Sequence, residues 1–272
     1  MELAVSNIAW TNEEENAVAD KLVELGVKHV EIAPTKRWDD PTKASDSDAL
    51  EYVKWWSDKG IKVSAFQSML FARPDLKIFE SDENRQETVE YMSEFLRLAG
   101  VMGAERLVFG SPKNRQRGEL EVEDADKIAG NFFSELGKVA TQQGVILCLE
   151  PNAPQYNCDY ITNADQGAKL VRSVDNEGFG LHLDTACMQL AGDNIYEAIL
   201  KSSDILKHYH VSAPMLGEVN SSSDIDHQAA SRALREINYQ GMVSIEMRPG
   251  DTGTNVQRVE EAVLFVKKEY GL

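Results

Sequence analysis

Two periods of hydrophobic and polar residues take turns along this chain. Short, mostly apolar runs at 3–8, 27–32, 61–66, 104–109, 145–149, 179–183, 205–210 and 242–246 read as buried strands. Between them, 13–25, 47–59, 83–98, 122–141, 164–173, 195–201, 227–236 and 258–268 carry the spacing of amphipathic helices. The first helix opens on Glu13, Glu14 and Glu15 behind Thr11 or Asn12 as its cap, and Gly26 closes it. Asp226 reads as the N-cap of the helix that His227 opens. The pattern is strand then helix, eight times over, with no break in composition. Parallel strands need crossover helices, and eight units in 272 residues predict an α/β fold, a closed (β/α)8 TIM barrel forming a single domain over 1–272. A doubly wound open sheet is the alternative. It would carry a glycine-rich turn after strand one, where this chain reads Ala9-Trp10-Thr11-Asn12.

The strand ends carry the chemistry. Alternate residues of a strand share a face, so His182 and Asp184 point the same way at the end of 179–183. Glu150, His210 and Glu246 hold the corresponding position on the fifth, seventh and eighth strands. In a barrel, catalytic groups gather on this C-terminal face. The spacings of 34, 26 and 36 residues are each one strand–helix unit, so the four side chains come to one side of the mouth. Two like charges about 4 Å apart cost roughly 4 kcal/mol at an effective dielectric of 20. Shared protons, neighbouring cations or a divalent ion must offset this. A divalent ion also accounts for the imidazole, and three oxygen donors with one nitrogen suit Mn²⁺, Mg²⁺, Co²⁺ or a catalytic Zn²⁺. Arg248 shares a face with Glu246 and either contacts substrate or neutralises the acids. His182 is a substrate contact or a support for the ligands. His208 lies one layer deeper, as a core histidine.

Composition narrows the setting. With 42% hydrophobic residues the chain builds one large core. A net charge of −17 repels phosphate backbones and anionic membranes, so neither nucleic acid nor membrane is an expected partner. Cys148, Cys158 and Cys187 form no CxxC pair, which argues against a disulfide framework or a thiolate zinc site. No charged-plus-apolar leader and no membrane-length apolar run is visible, and a cytoplasmic location is expected. The loop 113–117, with Lys113, Arg115 and Arg117, stands out as basic; it either grips a substrate anion or is a solvated surface loop.

The stretches Leu147-Cys-Leu-Glu-Pro-Asn152, Gly180-Leu-His-Leu-Asp-Thr185, His208-Tyr-His-Val211 and Val243-Ser-Ile-Glu-Met247 resemble the sugar phosphate isomerase/epimerase superfamily, with its xylose-isomerase-like barrel. They are most similar to the strand ends of ketose 3-epimerases. The resemblance implies one divalent metal ion, Mn²⁺ first and Co²⁺, Mg²⁺ or Zn²⁺ as alternatives, on Glu150, Asp184, His210 and Glu246. It makes Glu150 and Glu246 the acid/base pair as well, and Asp184 and His210 ligands only. It also implies a small sugar or sugar-derived substrate and a homodimer or homotetramer. Proton removal next to a carbonyl through an enediolate, with return from the other face, would invert a centre. Apart from the resemblance, Glu31 points inward and would hydrogen-bond substrate or a neighbouring base, and Trp10 and Trp38 either wall the C–H face of a sugar or serve plain packing. Two positions depart from the epimerase pattern. Cys187 stands where those enzymes place a histidine three residues after the ligand aspartate, and 211–220 lacks their arginine. Cys187 reads as a small filler. Alternatives on the same site are a lyase or dehydratase of a keto-sugar or keto-inositol, and a sugar-binding barrel without catalysis. A DNA-repair endonuclease is disfavoured by 5 histidines and the negative charge.

Overall fold

A computed structural model describes residues 1–272. The strands are β1 Glu2–Ser6, β2 His29–Ile32, β3 Lys62–Phe66, β4 Arg106–Phe109, β5 Ile146–Leu149, β6 Phe179–Asp184, β7 Leu206–Ser212 and β8 Met242–Glu246. They close into a parallel barrel in sequence order, β8 pairing back onto β1. Around it run α1 Glu15–Glu24, α2 Asp46–Asp58, α3 Asp82–Met102, α4 Val122–Gln143, α5 Ala164–Val174, α6 Thr185–Ala191, α7 Ile195–Lys201, α8 His227–Glu236 and α9 Asn255–Tyr270. No helix is long and apolar enough to cross a membrane.

The expected closed barrel is therefore the observed one, and the differences lie at element ends. β1 stops at Ser6, whose hydroxyl accepts from the Ile8 amide and turns Asn7–Ala9 into a 3-10 helix. α3 runs on to Met102, past the expected stop at 98. Gly100 lies inside the helix, where a Cβ would stand 3.0 Å from the Gln143 carbonyl oxygen at the end of α4. Contact between α3 and α4 thus outweighs the helix propensity of glycine. α6 is an addition that periodicity did not predict. Asp184 caps it by accepting from the Cys187 amide at 2.7 Å. Asp226 caps α8 as expected, through the Ala229 amide.

Between barrel and helices the core is apolar and aromatic. Phe133 of α4 stacks on Phe179 of β6 at 4.7 Å and meets Phe109 of β4 edge-on at 5.2 Å. This packing holds β4 to β6 in place. Strand register then sets the mouth: Asp184 pairs with His210, His210 with Ser244, and Ser212 with Glu246.

Candidate metal and substrate site at the barrel mouth

One donor atom from each of Glu150, Asp184, His210 and Glu246 lies within 4.8 Å of the other three. Glu150 follows β5 directly, and the others end or lie within β6, β7 and β8. Glu150, Asp184 and His210 are buried, and Glu246 is half-buried. Burial, reinforced by the carboxylates of Glu246 and Asp184, pushes the Glu150 carboxyl up to about 8. Burial and Glu246 also raise Asp184. This is a site with more negative charge than it can hold comfortably. His210 Nδ1 lies 3.5 Å from Glu246 Oε2 and has no hydrogen-bond partner, although it is buried. Excess buried charge and an orphaned ring nitrogen facing the same space are what a bound divalent cation would relieve, so the residues fit such an ion.

Beneath them lies Glu31, fully buried at the end of β2. Its carboxylate stands 3.0 and 3.1 Å from His210 Nε2 and 3.3 Å from His208 Nε2, and accepts from the Ser244 hydroxyl. A carboxylate only accepts, so Nε2 of His210 carries a proton and Nδ1 is the nitrogen turned to the mouth. Burial works against ionisation of both partners. The Glu31 and Glu246 carboxylates nonetheless hold the His210 pKa well above the usual imidazole range, and His210 and His208 hold Glu31 well below the usual carboxylate range. Of the two roles expected for Glu31, the structure supplies contact with a neighbouring site residue and none with the open mouth.

The remaining expected residues are dispersed. His182 is fully buried, its Nε2 3.9 Å from Glu150 Oε1, and neither ring nitrogen has a partner. Burial and the adjacent His210 and His208 hold it well below the usual imidazole range, so it lies under Glu150 as a neutral ring. Arg248 is exposed beyond the end of β8 and does not line the mouth. Trp10 is buried against Trp56 at 6.4 Å, and Trp38 is half-buried edge-on to Tyr52 at 5.9 Å. Both belong to the helix layer rather than to a sugar wall. The 3-10 turn after β1 and the loop after β2 swing these rings outward, which alternation along a strand does not foretell. Arg115 of the basic loop is fully buried, donating to the carbonyls of Tyr160 and Gly110 and, at 2.8 Å, to Asn152 Oδ1. It braces a loop instead of gripping an anion. His227 is buried and bonded to the Tyr270 hydroxyl at 3.0 Å, with no metal-ligating neighbours.

Other residues enter the site unannounced. Ser212, two past His210 on the same face, donates to Asp184 Oδ2. Asn152, two past Glu150, holds its amide 3.5 Å from Cys187 Sγ. The period-two rule that picked out the four-residue cluster reaches both. Cys187 itself is buried 3.8 Å from Glu150 Oε1, and burial with the Asp184 and Glu150 carboxylates raises its thiol well above the ordinary range, so it fills space as an unreactive thiol. Gly110 leaves room for Glu150, since a Cβ there would meet Oε2 at 2.3 Å. Above these groups opens a cavity of about 380 Å³, walled on its outer side by Leu70, Phe71, Pro74, Pro112, Lys113 and Leu216. Met215 and Leu216 both have positive φ, 59° and 54°. Their loop is tied on one side to the Tyr156 hydroxyl, which accepts from the Met215 amide, and on the other to the Arg248 amide, which donates to the Leu216 carbonyl.

A family model described as the xylose isomerase-like TIM barrel matches residues 19–269. D-psicose 3-epimerase of Ruminiclostridium cellulolyticum is 32% identical over 130 residues, 45% of this chain and 42% of that protein. The aligned stretch thus spans less than half the length of that curated relative. Among solved structures, L-ribulose 3-epimerase superposes with a TM-score of 0.83 at 18% identity, covering 100% of this chain and 95% of the other. The IOLI protein with a binding zinc atom superposes with a TM-score of 0.79 at 20% identity, covering 100% of both chains. At these identities the two structures share the fold.

Proposed function

The chain belongs to the xylose isomerase-like TIM barrel family, and on that premise we propose that it is a divalent-metal-dependent sugar isomerase or epimerase acting by proton transfer next to a carbonyl. One observation carries the reading: three carboxylates and an imidazole from four consecutive strand ends converge within 4.8 Å at the mouth of a cavity. Glu150, Asp184, His210 and Glu246 would hold the ion, Mn²⁺ first among Mn²⁺, Co²⁺, Mg²⁺ and Zn²⁺. Bound there, such an ion supplies Lewis acidity to a substrate carbonyl and its neighbouring hydroxyl.

The protein groups do the rest. Glu150 and Glu246 flank the cluster from β5 and β8, and one takes the proton beside the carbonyl while the other returns it to the opposite face of the enediolate. Transfer on a single face between adjacent carbons would make the same site an aldose–ketose isomerase. Glu31 holds the His210 ring in one tautomer, and Ser212 and the Cys187 amide hold Asp184. Asn152 and Ser212 offer the substrate hydroxyls hydrogen-bonding partners in the cavity wall.

The decisive test strips the protein with a chelator, restores Mn²⁺, and follows a panel of ketoses and keto-sugars by NMR in D₂O. Metal-dependent entry of deuterium beside the carbonyl, lost in Glu150→Gln and Glu246→Gln, is expected. Turnover untouched by Glu150→Gln would overturn the proposal. An unsaturated or cleaved product would point to the lyase chemistry instead.

A further inference from the structure

We infer that the cavity takes a keto-sugar bearing an aromatic substituent, an aryl keto-glycoside, with its ring on Phe71. This rests on the isomerase reading and narrows its substrate. Phe71 lies 84% exposed, the one fully exposed aromatic side chain among 9 Phe, 4 Trp and 8 Tyr. It lines the same cavity as Glu150, Asp184 and Glu246. An exposed phenyl ring forgoes the free energy of burial, which an apolar ligand group laid on it recovers.

The loop that presents this ring is braced. Leu70 and Leu76 on either side of it are buried. Arg73 pairs with Asp75 at 2.7 Å and Glu87 at 2.9 Å, and the Asn114 amide donates to the Arg73 carbonyl at 2.8 Å. Pro74, Pro112 and Leu216 extend the apolar wall around Phe71. Opposite that wall lie acids and amides suited to hydroxyls, so the cavity has a polar floor and an apolar rim. Its charge argues against a phosphorylated sugar. Lys113 is the only cation in the lining, because Arg115 is spent on backbone carbonyls and Asn152. About 380 Å³ falls in the range that holds drug-sized ligands, beyond what a free hexose fills. A glycoside has no free anomeric carbonyl, so the carbonyl that proton transfer needs is a ring ketone.

The test compares two probes differing only in the aglycone, 4-nitrophenyl and methyl 3-keto-β-D-glucopyranoside, on the Mn²⁺-loaded protein, with deuterium exchange read by NMR. We expect the aryl probe to have a KM about tenfold lower, Phe71→Ala to raise that KM about tenfold with kcat little changed, and Phe71→Trp to restore it. Equal KM values, a difference that survives Phe71→Ala, or exchange on free ketoses but neither glycoside overturns this inference and leaves the isomerase reading in place. No exchange on any sugar removes both. A concentration-dependent dimer in sedimentation that Phe71→Ala abolishes would assign the ring to a second copy of the chain and overturn it too.

Discussion

The Glu31 carboxylate and the His210 ring meet at 3.0 Å, fully buried, 179 residues apart in sequence and across the barrel from β2 to β7. Glu31 touches nothing in the open cavity, yet it decides which nitrogen of His210 faces Glu246. Glu31→Gln keeps the shape and removes the fixed acceptor. Metal affinity, measured by calorimetric titration, should fall about 10- to 100-fold, with a smaller change in the melting temperature of the metal-free protein. Unchanged affinity would show that the ring is held by packing alone.

The crowded acids predict an unusual pH response. Glu150 holds its proton to about pH 8 in the fold against 4.5 as a free group. The stability this gives is full below pH 4.5 and is lost as pH rises through about 8. Asp184 and His210 are shifted upward too and act in the same direction. The melting temperature of the metal-free wild type relative to metal-free Glu150→Gln should therefore fall from pH 5 to 8.5, and Mn²⁺ added to the wild type should reduce that fall. Glu150→Gln should melt about 5 °C above the wild type at pH 8 without metal, the effect of roughly 2 kcal/mol. A variant that melts lower at that pH would mean Glu150 is well accommodated as a carboxylate.

Gly110 offers a test of geometry separate from charge. Its missing Cβ is the space that Glu150 Oε2 occupies, at 2.3 Å. Gly110→Ala should displace that carboxylate and lower kcat about 100-fold, since a 1 Å misplacement near reacting atoms costs that much. Circular dichroism and melting should stay near those of the wild type. A variant with full activity would show that Glu150 has another rotamer that serves equally.

Arg115 separates support from recognition. It is buried and its partners are carbonyls and Asn152. Arg115→Ala should destabilise the protein by about 3 kcal/mol or more, seen in urea unfolding, because several buried acceptors lose a charged donor at once. Lys has no matching fork and should rescue little. If instead stability holds and only anionic substrates suffer, the side chain reaches the cavity after all.

These residues also show where a single sequence speaks clearly. Strand positions do: period-two alternation puts Asp184, His210 and Glu246 on the inward face, and the strand–helix count makes a barrel of them. Loops do not. Nothing in Trp10, Trp38 or Arg115 tells whether a side chain turns to solvent, cavity or core, because that depends on turns such as Asn7–Ala9 and on partners such as the Tyr160 carbonyl, 45 residues away from Arg115. Phe71 is silent for the same reason. Glu31 was half legible: its inward direction follows from its strand, and its partners only from the way the barrel closes.

The pair of left-handed residues at Met215 and Leu216 has a bearing on how this protein could change. Their loop is fastened to its neighbours through Tyr156 and Arg248, so three of the loops above the barrel are joined to one another. Grafting that single loop from another barrel should fail where exchanging all three together succeeds, while the acids on the strands below go untouched. New specificities here would then arise in steps, by wholesale exchange of linked segments, rather than by gradual drift of one.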